Sequence, residues 1–337
     1  MIPKGEGPVL AGQGWGSIMR ALAYVSAVAL VLIGLAGTAA AQKSVAITAI
    51  VEHPALDAVR DGVMKGLADL GYEEGTDVVY SFETAQGNPA TAAQIARQFV
   101  GESPDVIVAI STPSAQTVAA ATSDIPVVFS AVTDPLAAGL VESVEAPGGN
   151  ITGVSDMAPI GDHIALIKEI TPDVERLGVL YNPGEANSVS SVDLLRQEAN
   201  AAGIIVVDGA ATKSADVQAA ARSLVGDVDA IYVPTDNTIV SALESAVGVA
   251  NEAKIPLYAA DTDSVARGAL AAVGFNYFDV GVETASLVAR VLEGEDPGAI
   301  EVVFASGTNL QVNKATADAI GVTLPQAVLD RAQEVVE

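Results

Sequence analysis

Residues 44–71 read SVAITAIVEHPALDAVRDGVMKGLADLG, and their pattern sets the rest of the chain. Ser44 to Val51 is a short apolar run rich in Val and Ile. After Pro54 the apolar positions Leu56, Val59, Val63, Leu67 and Leu70 recur at spacings of three and four, and Gly71 ends the series. A buried strand followed by an amphipathic helix is the reading that fits the run and the spacing. The unit then repeats: strand Val78 to Phe82, helix Ala90 to Val100, strand Val106 to Ile110, helix Pro113 to Ala121 and strand Val127 to Ala131. Buried strands alternating with helices of this length predict a parallel sheet covered on both faces.

Beyond Pro147-Gly148-Gly149-Asn150 a second series of similar size begins. Its expected helices are Gly161 to Ile170, Val189 to Ala202, Ala215 to Val225 and Thr238 to Ala253. Its expected strands are Leu177 to Tyr181, Ile204 to Val207, Ala230 to Val233, Pro256 to Ala259 and Ala269 to Val273. The remaining tail, with helix Val280 to Leu292 and short strands at Val302 to Ala305 and Asn309 to Val312, holds too few elements for a third core. The fold class is therefore α/β: two Rossmann-like lobes with parallel sheets, the tail returning to both.

The N-terminus reads as a leader. Met19-Arg20 gives a positive start, Ala21 to Ala36 an apolar run, and Ala39 and Ala41 the A-x-A spacing of a signal peptidase site. Residues 1–18 are read as an upstream extension, 19–41 as a signal peptide, and Gln42 as the mature start. An uncleaved anchor is the alternative, although the run is short of the roughly 20 residues a spanning helix needs. Export without disulfides or a lipid-bearing cysteine points to a periplasm, since the 337 residues contain no Cys.

Composition excludes whole classes. With 42 Asp+Glu against 16 Lys+Arg, the net charge of −26 repels phosphate backbones, and no nucleic-acid partner is expected. Half of the residues are hydrophobic, which rules out a disordered acidic chain. Absence of Cys removes thiolate metal sites, cysteine nucleophiles and iron–sulfur clusters. No G-x-S-x-G elbow, H-E-x-x-H or P-loop motif occurs, so catalysis, a cofactor and a metal are not expected. Of the two histidines, His163 is expected on the solvated side of its helix.

In an open parallel sheet, ligands bind beyond the carboxyl ends of the strands. The residues found there are His53, Ser111-Thr112-Pro113, Thr133-Asp134, Asn182, Thr235-Asp236, Asp261 and Asn276. Each has a bland reading as a helix cap, because Ser, Thr, Asp and Asn satisfy the orphan amides that open a helix. Their concentration on one edge of both lobes favours a polar ligand instead. Ser111 and Thr112 hydroxyls at a helix start suit a carboxylate. Asp134, Asp236 and Asp261 suit an ammonium.

These stretches, in this order behind a leader, resemble the substrate-binding proteins of ABC transporters of the tryptophan/tyrosine type. The segments that carry the likeness are His53-Pro54-Ala55-Leu56-Asp57, Ser111-Thr112-Pro113-Ser114-Ala115-Gln116, Ala131-Val132-Thr133-Asp134-Pro135, Gly149-Asn150-Ile151-Thr152-Gly153-Val154-Ser155, Tyr181-Asn182-Pro183-Gly184-Glu185-Ala186-Asn187-Ser188, Pro234-Thr235-Asp236-Asn237-Thr238 and Gly274-Phe275-Asn276-Tyr277. The resemblance implies a type I periplasmic-binding fold with three hinge crossings, near Thr152 to Ser155, Gly274 to Asn276 and Ser306 to Gly307. Lobe one would comprise residues 42–153 plus 276–305, and lobe two residues 154–275 plus 306–337. It also implies a small-molecule solute such as an amino acid, an ABC permease in the inner membrane, and a monomer that closes on its ligand. The expected ligand-binding residues are His53, Ser111, Thr112, Asp134, Asn187, Ser188, Thr235, Asp236, Asp261 and Asn276. A sugar or nucleoside binder of the same fold, or a ligand-sensing module, stays open as the alternative. A transcriptional regulator of this fold would need an N-terminal helix-turn-helix where the leader stands.

Overall fold

The computed structural model describes residues 1–8 and 42–337. The apolar run and the A-x-A site of the expected leader lie outside the described residues. Residues 42–337 form one compact unit, described below, with elements numbered along it.

The first sheet is built from β1 (Lys43–Ala49), β2 (Val78–Thr84), β3 (Val106–Ile110), β4 (Val127–Val132) and β5 (Ile151–Ser155), with α1 (Pro54–Asp69), α2 (Pro89–Glu102) and α3 (Thr112–Ala119) between them. The chain then builds a second lobe from α4 (Ile160–Ile170), β6 (Arg176–Tyr181), α5 (Ala186–Ala201), β7 (Ile205–Ala210), α6 (Val217–Leu224), β8 (Ala230–Val233), α7 (Asn237–Val240), α8 (Leu243–Ala253), β9 (Leu257–Ala259), α9 (Asp263–Ala266) and β10 (Ala271–Gly274). It returns to the first lobe through α10 (Tyr277–Leu292) and β11 (Val303–Phe304). It ends in the second with β12 (Asn309–Asn313), α11 (Lys314–Ile320), α12 (Gln326–Arg331) and β13 (Glu334–Val336).

Sheet one runs in the order β11-β5-β4-β3-β1-β2 and sheet two in the order β13-β12-β10-β9-β8-β6-β7. All pairings are parallel except β10 with β12. This is the α/β architecture of two doubly covered sheets that the alternation predicts. Each strand of the centre is wholly buried: β3, β4 and β8 show no exposed position. One hydrophobic cluster fills lobe one and includes α10 through Val280, Leu287 and Val288. Two others lie on opposite faces of sheet two.

The chain passes between sheets at β5 to α4, at β10 to α10 and at β11 to β12. Three details depart from the pattern. Thr152 to Ser155, expected near a crossing, lies in a buried strand paired with β4, and the chain crosses just after it. The single helix expected over Thr238 to Ala253 is broken at Ser241-Ala242 into α7 and α8. His163 is buried rather than solvated, with its Nδ1 2.7 Å from the Tyr232 hydroxyl. The apolar stripe of α4 is therefore wide enough to take in His163, and burial lowers the imidazole pKa to about 4.

Candidate functional site

The carboxyl ends of β1, β3, β4, β8 and β9 converge on a cavity of about 30 Å3 between the two sheets, lined by His53, Ser111, Ala131, Asp156, Thr235, Asp236, Asp261 and Tyr277 among others. Local chemistry explains why these side chains turn inward. Several residues that precede a helix commit their side chain to it. Asn276 accepts from the amides of Phe278 and Asp279, and Asp134 Oδ1 from Ala137 N at 2.9 Å. Two others do not. His53 precedes α1 and Ser111 precedes α3 with no side-chain cap bond. His53 Nδ1 and Ser111 Oγ are buried without any partner. An orphaned buried polar atom costs about 1–3 kcal/mol, so these two are candidates for groups completed by a ligand.

Ser111 is also strained. Its φ of 79° and ψ of 156° fall in a region that is nearly reserved for glycine. Ala131, at the end of the neighbouring strand, has φ 52° where the β4–β5 register shifts between Phe129 and Val132. Two non-glycine residues in left-handed backbone, side by side on the cavity wall, hold strain of about 1–3 kcal/mol each. What this geometry gains is the presentation of the Ser111 hydroxyl beside the first amides of α3, which have no intrahelical acceptor. That combination binds anions.

Three buried carboxylates line the same cavity, Asp236 and Asp261 from the second sheet and Asp156 from the end of β5. Asp261 accepts from Ser264 N at 2.8 Å and Ser264 Oγ at 2.6 Å, one bond to each oxygen. Asp156 accepts from Thr133 Oγ1 at 3.0 Å and from the Tyr277 hydroxyl at 2.8 Å. Asp236 accepts from Ile239 N at 2.8 Å, Asn182 N at 2.5 Å and Ser188 Oγ at 2.6 Å. Burial raises all three above the usual carboxylate range; for Asp236 the nearby Glu185 carboxylate adds to it. None of the three takes part in an ion pair among the described residues. Unpaired buried carboxylates favour a cation brought by the ligand.

The expected residues therefore separate. His53, Ser111, Thr235, Asp236 and Asp261 line the cavity. Thr112 is buried beside it and meets Thr133 N only at 3.4 Å. Asn187 and Ser188 stand behind the wall. Asn187 Nδ2 donates to Thr235 O at 2.7 Å and leaves its Oδ1 buried and unpartnered, while Ser188 holds Asp236. Asp134 and Asn276 act as caps outside the lining. Asp156, Tyr277 and Ala131 were not among the expected residues. Asp156 follows a strand end like the others, and the same rule finds it once Ile151–Ser155 is read as a strand.

A hydrogen bond joins the lobes at the cavity: Thr133 Oγ1 and Thr235 Oγ1 are 3.2 Å apart. The sequence matches the ABC transporter substrate binding protein family over residues 44–336. The chain belongs to this family. Its members bind solutes rather than convert them. Among curated relatives, the tyrosine-binding protein of Clostridioides difficile strain R20291 is 43% identical over 83% of this chain and 81% of its own. A solved ABC domain from Streptococcus pneumonia in complex with L-Trp is 36% identical, covers 88% of this chain and 100% of its own, and superposes with a TM-score of 0.85. The ligand-free, open structure of a substrate binding protein with adhesive properties from Clostridium difficile is 39% identical, covers 87% and 99%, and superposes with a TM-score of 0.67.

The sequence order of those two structures is the reverse of their structural order. This substrate-binding protein superposes better on the L-Trp complex than on the ligand-free, open structure.

Proposed function

We propose that this substrate-binding protein captures an α-amino acid, aromatic side chains included, between its lobes and delivers it to an ABC permease in the inner membrane. One observation carries the reading: a partnerless hydroxyl at a helix start and unpaired buried carboxylates face each other across one small cavity. A zwitterion supplies what each wall lacks. Its carboxylate meets Ser111 and the first amides of α3, and its ammonium meets Asp261, each of whose oxygens carries only one hydrogen bond. The tyrosine- and tryptophan-binding relatives support the same class. Sugar pockets stack rings on aromatic faces. Here Tyr277 is the one aromatic lining residue and its hydroxyl is held by Asp156, which weighs against a sugar.

Export is part of the proposal. The A-x-A spacing ends at Ala41, and the compact unit begins at Gln42. Protein recovered from the periplasm should have a mass that starts at Gln42, and retention of residues 21–41 overturns the leader. The binding function is tested by thermal shift against L-tyrosine, L-tryptophan, sugars and nucleosides. A ligand at 100 times its Kd stabilises by about 2.7 kcal/mol, so a rise confined to sugars or nucleosides overturns the amino-acid reading.

A further inference from the structure

A second, larger cavity of about 490 Å3 adjoins the first. Asn237 lines both. On the lobe-one side, Ser111 lines the inner cavity and Pro113, two residues on, the outer. On the lobe-two side, Asp236 lines the inner and Thr238 the outer. The two walls thus lead in the same direction, away from Asp156, Asp236 and Asp261. The inner cavity has room for about two water molecules, too little for a phenol or indole. Solute pockets commonly measure about 300–1,000 Å3, and the outer cavity lies within that range.

The wall of the outer cavity carries one buried carboxylate, Glu185, and it is saturated. Its Oε1 accepts from Thr238 N at 3.0 Å, Thr238 Oγ1 at 2.6 Å and Asn182 Nδ2 at 3.4 Å. Its Oε2 accepts from Asn237 N at 3.1 Å, Asn237 Nδ2 at 2.6 Å and Asn187 Nδ2 at 3.2 Å. Six donors leave that carboxylate no open valence toward a solute. Lys213 brings an exposed ammonium to the rim of this wall, and amides, hydroxyls and the aliphatic faces of Ile50, Val51 and Pro113 make up most of the remainder.

Resting on the amino-acid reading, we propose that the solute's side chain projects into this outer cavity, so that the protein accepts α-amino acids extended at the side-chain end and selects chiefly at the head group. The size of the outer cavity sets the tolerance, and the charges of the inner one reject peptides, whose ammonium and carboxylate are held apart.

Isothermal titration of the mature protein with L-tyrosine, O-benzyl-L-tyrosine and the dipeptide tyrosyl-glycine tests this. The expected result is a Kd for O-benzyl-L-tyrosine within about tenfold of that for L-tyrosine and no binding of the dipeptide. Ser241→Trp provides a second measurement. Ser241 lines the outer wall and its hydroxyl bonds only Thr238 O. The variant should weaken O-benzyl-L-tyrosine at least tenfold more than L-alanine. Loss of more than a hundredfold for the benzyl ether, with L-tyrosine binding intact, overturns the inference and spares the amino-acid reading. Failure of L-tyrosine and L-tryptophan alike overturns both.

Discussion

The Tyr277 hydroxyl donates to Asp156 Oδ2 at 2.8 Å, joining the residue after β5 to the first residue of α10. These are the places where two of the three crossings meet lobe one. Asp156 also holds Thr133, and Thr133 reaches Thr235 on the opposite lobe. A chain of hydrogen bonds therefore runs from the crossings to the contact between the lobes.

Thr133→Val removes both hydroxyl bonds while keeping the side-chain shape. Closure is favoured only as far as contacts made in the closed setting exceed those of the open one. Solutions of the free variant should give a larger radius of gyration by small-angle scattering than the wild type, with the gap narrowing on saturation with ligand. Equal radii would show that the Thr133–Thr235 contact does not hold the lobes. Tyr277→Phe should lower Tm by a few degrees, since it strips a donor from a buried carboxylate at a cost of about 1–3 kcal/mol.

Asp236 and Asp261 are predicted to differ. Asp236 caps α7 and also holds Asn182 and Ser188. Asp236→Ala removes a cap worth about 1 kcal/mol and leaves two buried donors unpaired, so its main effect is a lower Tm. Asp261→Asn keeps an acceptor for Ser264 N while abolishing the charge. It should weaken amino-acid binding by at least about tenfold, or 1.4 kcal/mol, with Tm nearly unchanged. Titration calorimetry and melting curves on both variants separate the roles, and an Asp261→Asn protein of wild-type affinity would remove Asp261 from the ammonium site.

The fold was legible because short apolar runs and period-3.6 patterns alternate cleanly from Ser44 to Val273. The site was legible only as a strand-end inventory. Nothing in the residue types separates Asn276, whose amide oxygen caps its own helix, from Ser111, whose hydroxyl does not; backbone conformation decides, and φ of 79° at a serine is a tertiary outcome. Asp156 was missed because Thr152 to Ser155 before it was assigned to a hinge crossing and not to a strand. His163 was misplaced because one polar residue on an amphipathic helix is ordinarily at its solvent face, whereas here Tyr232 on β8 supplies a buried partner.

Both histidines should titrate far below the ordinary value. Burial lowers each to about 4, with the Arg267 charge adding to the effect at His53. Between the unfolded value near 6.5 and about 4, the unfolded chain holds more protons, so each histidine makes stability fall as pH falls through that window. The Asp236 carboxyl, raised by burial, acts in the opposite sense: the folded chain holds its proton longer, and stability rises as pH falls toward the unfolded carboxylate value. The chain has two histidines, so proton NMR of the imidazole C2 signals gives the midpoints directly. A midpoint near 6.5 for either would place that ring in water.

The last prediction isolates the anion wall at Ser111. Its hydroxyl has no partner, so Ser111→Ala removes nothing that the free protein uses, and Tm should stay within about a degree of the wild type. Binding should suffer, because a hydrogen bond to a charged group contributes about 1.5–3 kcal/mol, or roughly ten- to a hundredfold in Kd. Ser111→Gly loses the same hydroxyl and also relieves the left-handed backbone, whose cost for a non-glycine residue is about 1–3 kcal/mol. Relief exceeds the added chain entropy of glycine, about 0.5–1 kcal/mol, so this variant should melt above the wild type while binding as weakly as Ser111→Ala. Melting curves and titration of the three proteins with L-tyrosine read both effects at once. A Ser111→Ala protein that melts several degrees lower with its affinity intact would make Ser111 a structural residue and remove the carboxylate site from the start of α3.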